Sequence, residues 1–100
     1  MPSPHPADFA LRQNYPNPFN PTTGIRYEVA ERSDVRLTVY DILGREVSVL
    51  WQGVRNAGVY DATFDASGLS SGVYICRFEA HPQETLGRDI VLMKRLLLLR

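Results

Sequence analysis

The sequence predicts an all-β fold, an antiparallel sandwich of about seven strands. Three observations carry that expectation. Apolar and polar residues alternate with period two through the middle of the chain, the pattern of half-buried strands. Turn-forming residues recur between those stretches, at the spacing of an antiparallel sandwich. No stretch carries an apolar face at helical period.

The elements follow in order. Residues 1–8 hold three prolines in their first six positions and read as an extended linker remnant. A short strand is expected at residues 9–13. Residues 11–23 form an irregular lead-in in which Asn17-Pro18 and Asn20-Pro21 favour extended backbone before each proline and asparagines cap turns. Tyr15 and Phe19 are expected to pack on the sandwich edge, and the prolines to blunt it against pairing with other chains. Ile25, Tyr27 and Val29 alternate with Arg26 and Glu28; Val35, Leu37 and Val39 alternate with Arg36 and Thr38. Tyr60, Ala62 and Phe64 form a third alternating set, and Tyr74, Cys76 and Phe78 a fourth. Weaker strands fit residues 46–51 and 88–94. His81 falls in an expected hairpin loop, Ala80-His81-Pro82-Gln83.

Two turns share one pattern, Tyr40-Asp41-Ile42-Leu43-Gly44 and Phe64-Asp65-Ala66-Ser67-Gly68. Aspartate opens such a turn by accepting the amide two residues on, and glycine closes it at positive φ. The final residues, 95–100, read Arg-Leu-Leu-Leu-Leu-Arg. They are expected to be an extra strand, a natural extension or an added scar. An exposed leucine run there would favour edge pairing and weak self-association.

Composition narrows function by exclusion. One hundred residues make one domain. Eleven basic residues balance eleven acidic ones, which is not the basic excess of a nucleic-acid binder. No apolar run approaches the ~20 residues of a transmembrane helix. The single cysteine, Cys76, rules out an internal disulfide, and with two histidines it makes no cysteine–histidine metal set. Cys76 reads as a core residue, because neither His5 nor His81 has a setting that would bring it alongside as a base. Asp65 is better explained as a turn cap than as part of a calcium loop. Trp51, Tyr40, Tyr60 and Tyr74 read as core aromatics before they read as a sugar platform. No catalytic residue, cofactor site or metal site is expected.

The most distinctive run is Leu11-Arg12-Gln13-Asn14-Tyr15-Pro16-Asn17-Pro18-Phe19-Asn20-Pro21-Thr22-Thr23. It closely resembles the opening of the C-terminal sorting domains of the type IX (Por) secretion system. The likeness continues in order through Val39-Tyr40-Asp41 with Gly44-Arg45, then Ala57-Gly58-Val59-Tyr60, then Ser71-Gly72-Val73-Tyr74, and ends at Ile90-Val91-Leu92-Met93-Lys94. It spans residues 9–95 and leaves residues 96–100 as an apolar tail of unknown role. The segment around Tyr40 and Asp41 also resembles the immunoglobulin-like part of flagellar hook-capping proteins, which lack the Asn14–Pro21 opening.

The resemblance implies an immunoglobulin-like sandwich without catalysis. Such a domain follows an N-terminally fused cargo and is recognised by an outer-membrane translocon. A surface peptidase removes it, and the cargo is attached to the surface or released. The terminal strand, Arg88 with Ile90, Val91, Leu92, Met93, Lys94 and Arg95, is the implied sorting signal. Asn14, Pro16, Asn17, Pro18, Phe19, Asn20, Pro21, Tyr40, Asp41, Gly44, Arg45, Gly58, Tyr60, Gly72 and Tyr74 are the implied motif positions. The competing expectation is an immunoglobulin-like structural or carbohydrate-binding module of a secreted enzyme.

Overall fold

The computed structural model describes residues 6–84 and 88–100. Seven strands make two antiparallel sheets. They are β1 (Ala10–Leu11), β2 (Thr22–Val29), β3 (Ser33–Asp41), β4 (Glu46–Arg55), β5 (Gly58–Asp65), β6 (Gly72–Pro82) and β7 (Ile90–Leu98). One sheet has the order β1-β2-β5 and the other β4-β3-β6-β7. The four alternating sets of the sequence lie within β2, β3, β5 and β6. Their apolar positions turn inward and give a core of Tyr27, Val29, Leu37, Val39, Phe64 and Phe78, among others.

The sheets meet through aromatic side chains. Tyr27 of β2 packs on Phe78 of β6 with ring centroids 5.4 Å apart, and Phe64 of β5 meets Tyr74 of β6 edge-on at 6.4 Å. Such pairs add about 0.5–1.5 kcal/mol each beyond their buried area. Cys76, on the inner face of β6, is fully buried.

Several boundaries depart from expectation. β1 is only two residues long. β4 runs on to Arg55. Its pairing with β3 slips in register at Leu37/Thr38 and again at Val39/Tyr40. Each slip moves the inward phase by one residue, which is why β4 shows no clean alternation. His81 lies within β6 and faces Asp34 of β3, not in a loop. Tyr15 is 84% exposed and so does not pack on the edge, whereas Phe19 is buried. The largest departure is at the chain end. β7 passes through Lys94 to Leu98, and Leu96 and Leu98 are 1% and 0% exposed. Three of the tail's residues are therefore the end of a core strand, and only Leu99 and Arg100 lie beyond it. The first five residues of the expected arm lie outside the described residues.

Candidate functional site

The lead-in and the terminal strand, far apart in sequence, meet along one sheet edge. β6 covers one side of β7, from Ala80 opposite Ile90 to Gly72 opposite Leu98. The lead-in covers the far half of the other side. The Phe19 N–H donates to the Leu97 carbonyl at 2.9 Å, and the Leu99 N–H donates to the Phe19 carbonyl at 3.1 Å. The Leu97 N–H donates to Asn17 Oδ1 at 3.0 Å. Gln13 Nε2 donates to the Arg95 carbonyl at 2.8 Å. The Phe19 side chain enters the core against Phe64, with centroids 5.9 Å apart.

A buried polar knot shapes the lead-in. Asn14 Nδ2 donates to Thr23 Oγ1 (3.0 Å) and to the Pro16 carbonyl (3.1 Å), while Thr23 Oγ1 donates to the same carbonyl at 2.8 Å. Asn14 and Thr23 are both buried, so these bonds replace the water the groups lose. The Tyr15-Pro16, Asn17-Pro18 and Asn20-Pro21 peptide bonds are cis. The Pro21 carbonyl accepts the Ala66 N–H at 2.8 Å. Pro16, Asn17, Pro18 and Asn20 remain exposed.

The other motif positions are turn and strand-entry devices. Asp41 Oδ1 accepts the N–H groups of Leu43 (2.9 Å) and Arg45 (3.0 Å), and Asp41 Oδ2 accepts Arg45 Nε at 2.8 Å. The Arg45 amide above all, with its guanidinium and the Leu43 amide, holds the Asp41 carboxyl below the usual range. Gly44 has a φ of 81°, which an L side chain rarely adopts. Asp65 caps the matching turn through the amide and hydroxyl of Ser67. Gly58 and Gly72 open β5 and β6. Two residues on, Tyr60 and Tyr74 repeat one bond: each hydroxyl donates to the carbonyl four residues back, Asn56 at 2.6 Å and Ser70 at 2.7 Å.

The aromatics do not form an open platform. The Arg55 guanidinium lies 3.4 Å above the Trp51 ring and 4.2 Å from the Tyr60 ring. Tyr60 also stacks on Tyr27 at 5.6 Å, and Tyr74 is buried. Cys76 points inward, and burial pushes its thiol up to about 12. His81 stands at the far end of the same strand with Nδ1 2.6 Å from Asp89. Among the described residues no three metal-ligating side chains cluster, and no helix is long and apolar enough to cross a membrane.

The terminal strand splits its residues between two faces. Ile90, Leu92, Leu96 and Leu98 alternate toward the core, and Lys94 shares their side but is exposed. Val91, Met93 and Arg95 point to solvent on the other face. Arg88 precedes the strand and is exposed.

The family model for the secretion system C-terminal sorting domain matches residues 13–92. The chain belongs to this family. It is a C-terminal sorting domain of type IX secretion cargo, and its role is export across the outer membrane of Gram-negative bacteria to the surface or the medium. No curated protein and no solved structure matches it significantly. The match begins at Gln13, whose side chain holds the Arg95 carbonyl, and ends inside β7 at residue 92.

Sequence reasoning missed the partner of the lead-in. Asn17 and Leu97 are 80 positions apart, and no local pattern links them. A signal for the leucine tail did exist. Ile90, Leu92, Leu96 and Leu98 keep one alternating phase, but apolar Val91, Met93 and Leu97 on the other phase mask it.

Proposed function

We propose that the translocon reads this domain in its folded state, chiefly through β7, and that the chain performs no chemistry of its own. An N-terminally fused cargo is carried out with it, and a surface peptidase then separates the two. The observation that carries this reading is the stitched edge: the lead-in motif spends its backbone and side-chain bonds on holding the terminal strand in place. A motif that fixes a strand presents that strand. The fold reading is immunoglobulin-like. It is supported by the division of strands into β1-β2-β5 and β4-β3-β6-β7, and by the Tyr74 hydroxyl that reaches back to the Ser70 carbonyl at the start of β6. Against a carbohydrate-binding role stand the occupied faces of Trp51 and Tyr60.

Deleting residues 94–100 is a poor test, because it strips Leu96 and Leu98 from the core. Replacing only the solvent-facing Val91, Met93 and Arg95 with threonine keeps strand propensity and spares the core. Fused after a periplasmic fluorescent reporter in a type IX-competent bacterium, the unaltered chain is expected to take the reporter outside. The triple variant is expected to leave it in the periplasm while melting near the unaltered temperature. Full export of the triple variant would overturn recognition through β7.

A further inference from the structure

Resting on that reading, we infer that the first half of β7 is an acceptor edge for one extended strand of a partner protein, a strand carrying two consecutive acidic residues beside apolar ones. The backbone supplies the first argument. Leu97 and Leu99 turn their peptide groups away from β6, toward the lead-in. Successive residues of a strand alternate in this respect, so Val91, Met93 and Arg95 turn theirs to the same outer edge. Gln13 takes the Arg95 carbonyl. Among the described residues, nothing bonds the outward groups of Val91 and Met93 or the Arg95 N–H. The lead-in thus seals the edge from the Arg95 carbonyl onward and leaves the outward backbone groups before it without a bond.

Charge supplies the second argument. Elsewhere the cations have partners: Arg12, Arg26, Arg36 and Arg45 meet carboxylates, while Arg32 meets the amides of Gln83 and Asn56, Arg55 the Trp51 ring, and Arg100 the Leu69 carbonyl. Arg88, Lys94 and Arg95 have no carboxylate partner among the described residues. The net charge is zero, yet the three cations with no partner among the described residues lie on, or just before, the open part of β7. A second copy of the chain would bring the same cations against each other. An acidic strand answers them, with one carboxylate per face because Lys94 and Arg95 point to opposite faces.

Apolar surface supplies the third. Beside this edge the outer face of the four-stranded sheet holds an open groove of about 620 Å³ lined by Tyr40, Ile42, Val73, Ile75 and Met93, with Arg77 and Arg95 at its side. Met93 is 61% exposed. Apolar side chains of an added strand would cover Val91 and Met93 on this face while its backbone completes the ladder. Lys94, a charge on the inward face of an edge strand, discourages indiscriminate pairing.

The test separates backbone from side chain. Proline at position 93 removes an N–H that the fold does not use and that strand addition needs. The whole chain, fused to the reporter above, carries Met93→Pro, Met93→Thr or Arg95→Glu. Met93→Pro is expected to cut the exported fraction at least about tenfold, and Met93→Thr to stay within about twofold. Arg95→Glu is expected to cut export severalfold, and this exposed side chain is not needed for folding. The purified domains are expected to melt within about 5 °C of one another. Unchanged export in Met93→Pro would overturn the acceptor edge, and unchanged export in Arg95→Glu would overturn its acidic partner. Sedimentation showing a dimer of the unaltered chain that Met93→Pro dissolves would assign the edge to a second copy and overturn the proposal as well. If even the unaltered chain stays in the periplasm, the sorting reading fails and not this one.

Discussion

Cys76 illustrates how burial decides a residue's chemistry. It has no exposed surface, and burial pushes its thiol up to about 12, so at neutral pH there is no thiolate to react. Iodoacetamide at pH 8 is expected to leave the native domain unlabelled and to label it fully in denaturant, as read by mass spectrometry. Rapid native labelling would contradict the inward placement. Three aspartates, two in turns and one on β5, behave in the opposite sense. Arg45 and Leu43 hold Asp41 below the usual carboxylate range, Arg26 does so for Asp61, and Ser67 for Asp65. As pH falls the unfolded chain therefore binds protons first. The stabilisation is complete above the ordinary value of about 4 and is lost as pH drops through the lower folded values. All three carboxylates are solvent-accessible, so the effect is modest. Melting temperature is expected to fall below about pH 4, and Asp41→Asn to flatten that fall. A melting temperature that rises toward pH 3 would contradict the assignment.

The elements show why some signals were legible and others were not. β2, β3, β5 and β6 keep one phase, so Ile25, Leu37, Phe64 and Phe78 announced both strand and core side in the sequence. β4 did not, because its two register slips against β3 put Val47, Leu50 and Trp51 out of step. The Asp41 and Asp65 turns were legible because their bonds are local. The lead-in was legible as irregular but not as a clamp, since its contacts lie about one chain length away. β7 gives the sharpest stability test. Leu98 is fully buried and Leu99 is 52% exposed. Leu98→Ala is expected to cost about 2–5 kcal/mol and Leu99→Ala less than about 0.5 kcal/mol in urea unfolding. Equal effects would contradict the end of β7 as a core element. Asn17→Ala, which removes the acceptor of the Leu97 N–H, is expected to cost about 0.5–1.5 kcal/mol by the same measurement.

At the scale of the whole molecule, the neutral charge and single cysteine first served only to exclude functions. The structure gives the neutrality a shape. Ion pairs lie on both sheets, while Lys94 and Arg95, with no partner among the described residues, lie on an edge strand of the four-stranded sheet. A domain with an inert cysteine, capped turns and a terminal strand half open along its edge is suited to being held by another protein, and such a role needs no active site. That role was readable from the motif order, because five short blocks recur in sequence. The surface behind it was not, because it exists only once residues 13–19 and 95–99 lie side by side. The most direct measurement is the distribution of a periplasmic fluorescent reporter carrying the whole chain at its C-terminus, compared between a type IX-competent bacterium and the same strain with its translocon disabled. Reporter at the surface or in the medium of the competent strain, and confined to the periplasm of the disabled one, is the predicted result. Confinement to the periplasm in both, or export from both, would contradict a sorting role.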